Sequence, residues 1–263
     1  MARTTREGPS DPLPDDLVPL RDALVDAHHG RITVDAAELP VPASDEEAYA
    51  VQQSVAESMR WFAASRPFAW KVGASSRDAV PSGAPLPPAR VVASPARFGA
   101  GAFNRILIEG EIAFRLSAPI EADDETGVRA AIGEWLVTIE VVDPRYADLE
   151  RATPTQKLAD QGVHGALVVG SGRPLPPAID WRALEARVRR DGDLVRETHG
   201  GHPLGDVRVL LPWLARHAAS RGMALRAGDV VTAGTWTGVF EAFSGETIDV
   251  EFEGIGRASA RFD

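Results

Sequence analysis

The chain has 263 residues, of which 44% are hydrophobic and 25% charged, and its formal net charge is −10 at pH 7. This length suits one large domain or a main domain with a small appendage, and the absence of cysteine excludes disulfides, zinc–thiolate sites and a cysteine nucleophile. We find no basic stripe, no apolar run near the ~18 residues of a membrane span and no apolar signal region. We therefore expect a cytoplasmic protein that binds neither nucleic acid nor membrane.

The first quarter of the chain has the pattern of two helices. Residues 1–15 are charged and rich in proline, and we expect them to be disordered or loosely draped. Apolar residues recur at helical spacing from Asp16 to His28. A longer helical pattern begins at Ser44, which forms a capping box with Glu47. These segments predict a helical N-terminal portion over residues 1–66.

Beyond this portion the sequence changes to strand patterns. They occur after residue 225 and at residues 68–76, 106–116, 134–143 and 165–172. A proline-rich stretch over 76–95 predicts a loop that is long enough to be a lid or the rim of a site. Helical patterns interrupt the strands at 153–161 and 207–222. Because strands outnumber helices and do not alternate with them, the sequence predicts an α+β fold, with a second unit over 67–263.

Two glutamates in one strand pattern point to the same side of it. Glu109 and Glu111 are two residues apart within ILIEGEIAFRL, and alternate residues of a strand share a face. Two partly buried carboxylates about 7 Å apart repel each other unless a cation lies between them. The pair therefore predicts a cation site, with a solvated strand face as the alternative.

A third glutamate, Glu140, lies in the apolar segment LVTIEVV. An isolated buried carboxylate is costly, so this residue needs a positive partner. Carboxylate oxygens without nearby sulfur or imidazole suit a hard cation such as Mg²⁺ or Mn²⁺. The alternative is an ion pair with an arginine, of which Arg145 is the nearest in the sequence.

Lysine is rare in this chain. Of the 28 Lys and Arg residues only Lys71 and Lys157 are lysine, which hints that a compact, titratable ammonium is needed where lysine is retained. Lys71 lies at the end of an apolar strand pattern. A buried ammonium at this position can take part in proton transfer or hold an anionic substrate. Gly73 leaves room for a ligand to approach the backbone. The alternative for Lys71 is a side chain that reaches solvent from a strand edge.

Other polar residues are weaker candidates. His164 could act as a base, Arg145 could clamp a carboxylate from a D-P-R turn, and Thr237 could hydrogen-bond a substrate. The turn at Arg145 and the glycine turn beside Thr237 also have purely structural explanations, and His28 and His29 are expected to be solvated. The chain lacks a G-x-S-x-G elbow, a P-loop and a strand-linked G-x-G-x-x-G, which disfavours serine hydrolases, NTPases and Rossmann dehydrogenases.

Several of these segments form an ordered series over residues 17–262. They are AYAVQ (48–52), WKVGASS (70–76), IEGEIAFRL (108–116), TIEVVDPR (138–145), LADQGVHGALVVG (158–170) and LRAGDVVTAGTWTG (225–238). In this combination the chain resembles the fumarylacetoacetate hydrolase superfamily, in its branch of 2-keto-4-pentenoate hydratases and 2-oxo-3-hexenedioate decarboxylases. The resemblance implies that the β-rich C-terminal core is fumarylacetoacetase-like.

The resemblance also implies roles for individual residues. Glu109, Glu111 and Glu140 would hold Mg²⁺ or Mn²⁺, and Lys71 would be the active-site lysine of this branch. Asp160 is predicted as a second catalytic residue. Substrate binding is predicted for Gly73, Arg145, Gln161, His164 and Thr237. Family members are commonly homo-oligomers, and hydratases of this branch form complexes with a related decarboxylase, so both assemblies are expected here.

Details of the motifs favour one reaction within the superfamily. The K-x-G motif at Lys71, and glutamate rather than aspartate at Glu140, resemble hydratases and decarboxylases more than C–C hydrolases. The AGTWTG segment is closer to the hydratase pattern, whereas Trp236 and the D-Q-G-V-H run at 160–164 depart from the family. We predict a metal-dependent lyase that adds water to a 2-hydroxy-2,4-dienoate, giving a 4-hydroxy-2-oxo acid. The alternatives are a 2-oxo-3-enedioate decarboxylase, a C–C hydrolase of a diketo acid and a non-catalytic accessory subunit.

Overall fold

The computed structural model describes residues 13–121 and 124–263. Within these ranges the helices are α1 (Val18–Gly30), α2 (Asp45–Ser58), α3 (Glu125–Ala131), α4 (Pro154–Ala159) and α5 (Leu211–Ser220). The strands are β1 (Ala69–Gly73), β2 (Ser82–Pro85), β3 (Val91–Ala93), β4 (Ala96–Phe98), β5 (Ile106–Leu116), β6 (Ile132–Val142), β7 (His164–Pro174), β8 (Glu185–Arg190), β9 (Asp193–His199), β10 (Val230–Thr235), β11 (Phe240–Ala242), β12 (Thr247–Phe252) and β13 (Gly256–Phe262). No helix in the described ranges is long and apolar enough to cross a bilayer.

The two N-terminal helices form where the sequence predicts them. The hydroxyl of Ser44 accepts the N–H of Glu47 at 3.2 Å, and the Glu47 carboxylate returns to the N–H of Ala43 at 2.7 Å, one residue before the predicted partner. Both helices pack with α4 and Tyr146 in one apolar cluster. They therefore share a core with residues beyond 66, and the division at that residue stays a prediction. Of residues 1–15, for which disorder was expected, 1–12 lie outside the described ranges. For 13–15 the expectation is wrong, because Leu13 packs against the same apolar cluster and a 3-10 helix begins at Asp15.

The strands form two sheets. The larger has the order β2-β1-β10-β5-β6-β7-β3, with β11 also paired to β5. The smaller has the order β4-β13-β12-β8-β9. Apolar side chains of both sheets and of α5 make up the main core. Because the strands are mostly antiparallel and the helices do not alternate with them, the α+β prediction is confirmed.

The proline-rich stretch at 76–95 is not simply a loop, so this prediction is wrong in part. It contains β2, which pairs antiparallel with β1, and β3, which pairs parallel with β7. These two strands are the edges of the larger sheet. Proline lacks an N–H and is tolerated at a sheet edge, which explains how a proline-rich sequence can contribute strands.

The central pair β5–β6 positions the predicted metal ligands. Glu109 lies directly opposite Glu140 in the register, and Glu111 lies opposite Thr138. Gly110, between the two glutamates, faces the other way. A side chain at Gly110 would bring Cβ to 2.8 Å from the Thr237 side chain and 2.9 Å from Val250. Glycine at this position therefore lets the opposite face of β5 pack closely while both carboxylates point to one side.

Candidate active site

Three carboxylates meet on one face of the β5–β6 pair. Glu109 and Glu140 are direct cross-strand neighbours, and Glu111 follows on the same face. One oxygen of each carboxylate lies within 4.8 Å of one oxygen of the other two. Glu111 and Glu140 are each only 1% exposed. The structure thus brings together the three glutamates that the sequence singled out.

Glu140 is held by two positive or polar side chains. Its Oε1 accepts from the Lys71 ammonium at 2.6 Å and lies 2.8 Å from Nδ1 of His164. Burial alone would raise the pKa of Glu140, but the Lys71 charge and the His164 bond outweigh burial and lower the pKa to about 2. The alternative of an ion pair with Arg145 is wrong, because Arg145 pairs with Asp160 instead. The other oxygen of Glu140, Oε2, is buried and has no partner among the described residues.

Glu111 is held by hydroxyl and amide donors. Its Oε2 accepts from the hydroxyl of Thr232 and from the N–H of Gly234 at 3.1 Å. The hydroxyl of Thr138 lies 2.9 Å from that of Thr232, which extends the network across two strands. Burial, together with the charges of Glu140 and Glu109, raises the pKa of Glu111 well above its usual value. Without a cation, this carboxyl group is therefore strongly disposed to keep its proton.

The Thr232 hydroxyl should influence metal affinity without touching the metal. Thr232→Val keeps the shape of the side chain but removes the donor to Glu111. We expect the Kd for Mg²⁺ to rise about 10–100-fold, the usual cost of losing a hydrogen bond that orients a ligand. Thr232→Ser, which keeps the hydroxyl, should bind Mg²⁺ nearly as wild type. Isothermal titration calorimetry of the three proteins measures this, and equal affinities would contradict the orienting role.

Glu109 makes no hydrogen bond with any described side chain. Burial and the nearby charge of Glu140 raise its pKa to about 7, despite the opposing effect of Lys71. Both of its oxygens and Oε2 of Glu140 are thus available on a cluster that carries excess negative charge. Hard oxygen ligands at this spacing, with an unsatisfied buried oxygen, fit a divalent cation.

The contribution of Glu109 to the stability of the metal-free protein should fall as the pH rises from about 4.5 to about 7, whereas His202 and His217, whose pKa burial lowers to about 4, contribute with the opposite sign. In this window native Glu109 keeps a proton that the unfolded chain releases, since its pKa rises from 4.5 to about 7 on folding. A pKa shift of this size corresponds to roughly 3 kcal/mol of folding free energy. The raised pKa of Glu111 changes the stability in the same direction. Denaturant unfolding of wild type and Glu109→Gln in EDTA across this pH range isolates the effect, because the histidines are common to both proteins. With saturating Mg²⁺, which needs deprotonated ligands, stability should instead rise with pH; the same slope in both conditions would contradict this account.

Lys71 faces inward rather than reaching solvent from a strand edge, so that alternative is wrong. Its ammonium donates to Glu140 and, at 2.9 Å, to the carbonyl of Gly162. Burial alone would lower the pKa of Lys71, but Glu140 and Glu109 raise it overall. Gly162 has φ +60°, and a Cβ there would lie 3.3 Å from Cε of Lys71. Glycine at this position thus suits both the turn and the close approach of the lysine.

A cavity of 250 Å³ opens beside these side chains. Its lining includes the three glutamates, Lys71 and neighbouring residues of β1, β2 and β10. Gly73 contributes to this lining, and a Cβ there would meet no atom within 4 Å. The predicted approach of a ligand to Gly73 is therefore sterically open. The volume suits a small molecule next to the carboxylates.

Five predicted site residues do not line that cavity. Two of them, Arg145 and Asp160, form a buried ion pair. Arg145 donates through Nε to Asp160 at 2.7 Å, and its backbone N–H reaches the same carboxylate at 3.2 Å. The guanidinium also donates to the carbonyl of His164 at 2.8 Å. The pair therefore braces the segment that leads from α4 into β7. A catalytic role for Asp160 and a substrate-clamping role for Arg145 stay predictions.

The remaining predicted substrate contacts also have structural partners. Thr237 is buried on the Gly110 face of β5, where its hydroxyl accepts the Gly110 N–H at 2.9 Å. His164 holds Glu140, and the side chain of Gln161 donates to the carbonyl of Gln52 at 3.4 Å. Their contacts with substrate stay predictions. His28 is not solvated as expected, because it packs edge-on against Trp61 and lies 3.5 Å from Asp160.

Two residues at the site were missed by sequence reasoning. Thr232 binds Glu111, and Gly162 supplies the carbonyl for Lys71. A signal for Thr232 was present, since it is a polar residue inside the apolar run of β10. Gly162 offered no such signal, because its role depends on the turn that follows α4.

Comparison with known proteins identifies the family. Residues 49–263 match the fumarylacetoacetate (FAA) hydrolase C-terminal family. The chain therefore belongs to the FAA hydrolase family. The resemblance seen in the motifs is thereby confirmed.

Individual relatives are 29–31% identical to this chain over part of its length. It is 29% identical over 157 residues to 2-hydroxyhexa-2,4-dienoate hydratase from Comamonas testosteroni, covering 59% of each protein. It is 31% identical to 2-keto-4-pentenoate hydratase from Paraburkholderia phymatum, covering 59% of this chain and 60% of the relative. A 4-oxalocrotonate decarboxylase from Pseudomonas putida is 30% identical, again over 59% of each. The matches thus span less than two thirds of these relatives.

The fold is shared over a longer stretch than the sequence similarity. A solved structure of 4-oxalocrotonate decarboxylase from Pseudomonas putida G7, complexed with magnesium and adipate, superposes with a TM-score of 0.78. The superposition covers 95% of this chain and 98% of the other, at 23% sequence identity. At this identity the likeness establishes the fold alone.

Proposed function

We propose that this protein is a divalent-metal-dependent lyase that adds water to a 2-hydroxy-2,4-dienoate to give a 4-hydroxy-2-oxo acid. The observation that carries the proposal is the buried cluster of Glu109, Glu111 and Glu140 with Lys71 bound to one of its members, beside a small cavity. The named activities of the hydratases to which the chain is similar support the same reaction class.

Mg²⁺ or Mn²⁺ is the metal that the donor set suits best. All three ligands are carboxylates, and hard oxygen donors favour these ions over softer metals. Glu109, Glu111 and Glu140 would hold the ion. When bound, the ion supplies Lewis-acid stabilisation of the negative charge that develops on the substrate's 2-oxygen.

The side chains around the cluster can orient the reaction. Lys71 uses two of its three N–H donors on Glu140 and Gly162, which leaves a third for a substrate oxygen in the cavity. His164 and Thr232 keep Glu140 and Glu111 in place, so the carboxylates need little rearrangement during turnover. The glycine-lined wall leaves space for a planar dienoate against the backbone.

The reaction then needs two proton movements and one water. The enol oxygen at C2 loses its proton while C5 gains one, which leaves a 2-oxo acid with a C3=C4 double bond. Water adds its hydroxyl to C4 and a proton to C3. Lys71 is positioned to hold the 2-oxygen, since its ammonium lines the cavity and can donate a hydrogen bond to the oxygen as it loses its proton.

Decarboxylation of a 2-oxo-3-enedioate is the second candidate. The similarity to a 4-oxalocrotonate decarboxylase favours this reaction. As in the hydration, negative charge would develop on the substrate's 2-oxygen. A spectrophotometric screen of 2-hydroxydienoates and 2-oxo-enedioates, with Mg²⁺, Mn²⁺ or EDTA, tests both. We expect metal-dependent loss of the conjugated chromophore, with a product heavier by one water in the mass spectrum. A product lighter by CO₂ would favour the decarboxylase, and two acids would indicate a C–C hydrolase.

Full turnover in EDTA would overturn the proposal of a metal enzyme. Stoichiometric Mg²⁺ binding without turnover of any dienoate would instead favour an accessory subunit. The cytoplasmic location, a homo-oligomeric state and a complex with a related decarboxylase remain part of the proposal. Size-exclusion chromatography with light scattering, alone and with such a decarboxylase, measures both assemblies.

A further inference from the structure

The two most buried glutamates of the candidate metal site each have one oxygen committed to two hydrogen bonds. Oε1 of Glu140 accepts from the Lys71 ammonium at 2.6 Å and lies 2.8 Å from Nδ1 of His164. Oε2 of Glu140 has no partner among the described residues. Oε2 of Glu111 accepts from a hydroxyl and from a backbone N–H of β10. In both carboxylates the hydrogen bonds thus converge on a single oxygen.

This arrangement bears on the size of the cation that the cluster prefers. A carboxylate with one oxygen held by two donors offers a cation its other oxygen. Mg²⁺ is small and keeps several waters, so it needs few protein oxygens, whereas Ca²⁺ takes more oxygens and often binds both oxygens of one carboxylate. The hydrogen bonds on Glu111 and Glu140 therefore disfavour Ca²⁺ more than Mg²⁺.

The two donors to Glu140 differ in how firmly they hold one oxygen. The Lys71 ammonium has three rotatable donors on a flexible stem, so it can follow either oxygen when the carboxylate turns. The imidazole of His164 presents Nδ1 in one direction only. The ionised carboxylate of Glu140 can only accept, so Nδ1 carries the proton in this bond. His164 is therefore the donor that fixes which oxygen of Glu140 stays occupied.

The ring of His164 is itself held in place. The residue is only 4% exposed, and it begins β7, where it lies opposite Val142 in the register with β6. Its carbonyl accepts from the Arg145 guanidinium at 2.8 Å, and Arg145 forms a buried ion pair with Asp160. The backbone that carries the imidazole is thus anchored by a strand pair and by an ion pair, and the donor cannot easily follow a turning carboxylate.

We propose that His164 is a positioning residue that makes the candidate metal site selective for Mg²⁺ over Ca²⁺. Its imidazole occupies Oε1 of Glu140, so this carboxylate binds an ion through Oε2 alone. This role rests on the proposed metal-dependent function, but it does not depend on which acid is the substrate.

The pair His164→Asn and His164→Leu tests the proposal by calorimetry with Mg²⁺ and with Ca²⁺ on metal-free protein. Asparagine places an amide donor near the position of Nδ1, and leucine has a similar shape without a donor. The ratio of the Kd for Ca²⁺ to the Kd for Mg²⁺ should fall by about fivefold or more in His164→Leu, because Glu140 can then offer both oxygens. In His164→Asn the ratio should stay within about twofold of wild type. A general loss of stability weakens the binding of both ions alike, so it does not change this ratio.

His199→Leu is the matched control. His199 also pairs with a glutamate, Glu185, at 3.3 Å, but its side chain is 61% exposed on β9 and does not line the cavity. This variant should keep the wild-type Kd for both ions. An unchanged ratio in His164→Leu, or an equal fall in His164→Asn and His164→Leu, would overturn the role of His164 and leave the metal site standing. Absence of Mg²⁺ binding to wild type would overturn the proposed function as well.

Discussion

Replacing Glu109 by glutamine is expected to abolish Mg²⁺ binding and to lower kcat/KM by about 10³-fold or more. The side chain keeps its size but loses one of the three negative charges on the cluster. Several kcal/mol of charge stabilisation would disappear from the reaction, at about 1.36 kcal/mol per factor of ten. Calorimetric titration with Mg²⁺ and initial rates on the dienoate found by the screen measure the two effects.

The same substitution should leave the metal-free protein at least as stable as wild type. Glu109 makes no hydrogen bond with any described side chain, and it lies opposite Glu140, so glutamine relieves repulsion and breaks no contact. Glu251→Gln, an exposed change on β12, is the matched control and should affect neither metal nor rate. Normal Mg²⁺ affinity in Glu109→Gln would show that the carboxylate cluster is not the metal site.

Lys71→Met is expected to lower kcat by about 10²–10⁴-fold, the usual contribution of a positioned proton donor or acceptor. Its effect on metal binding should be opposite to that of Glu109→Gln. The ammonium lies 2.6 Å from Oε1 of Glu140 and repels a cation on the same cluster. The Kd for Mg²⁺ should therefore stay the same or fall. Calorimetry measures the Kd for Mg²⁺, and single-turnover experiments measure the rate of the chemical step.

Lys71→Met should also destabilise the metal-free protein, by roughly 3–5 kcal/mol, since it leaves a buried carboxylate without its cationic partner. Saturating Mg²⁺ should restore most of that loss, because the ion takes over the neutralisation of Glu140. Lys157→Met, at the other lysine of the chain, is the control and should retain activity. A Lys71→Met enzyme with wild-type kcat would show that this ammonium has no part in the chemistry.

The sequence predicted that the three glutamates would meet, because local rules govern their placement. Alternation along β5 puts Glu109 and Glu111 on one face whatever the rest of the chain does. The apolar flanks of Glu140 and Lys71 made both residues costly unless they had partners, and in the structure each is the partner of the other. The α+β class followed similarly from the order and spacing of apolar residues.

Other assignments failed or stayed open because they depend on contacts between distant segments. Arg145 was the nearest arginine for the alternative in which Glu140 forms an ion pair, yet it pairs with Asp160, which follows α4. β2 and β3 form in a proline-rich stretch because each finds a neighbour at a sheet edge. The pattern of residues 76–95 carries no information about those neighbours.

The sequence by itself determined which residues can carry chemistry: three glutamates and one lysine whose charges could not remain buried alone. The tertiary structure decided how they are held. The register of β5 with β6 sets Glu109 against Glu140, and β10 brings the Thr232 hydroxyl to Glu111. Strand alternation is a property of neighbours along the chain, whereas register and cavities arise only when remote segments pack together.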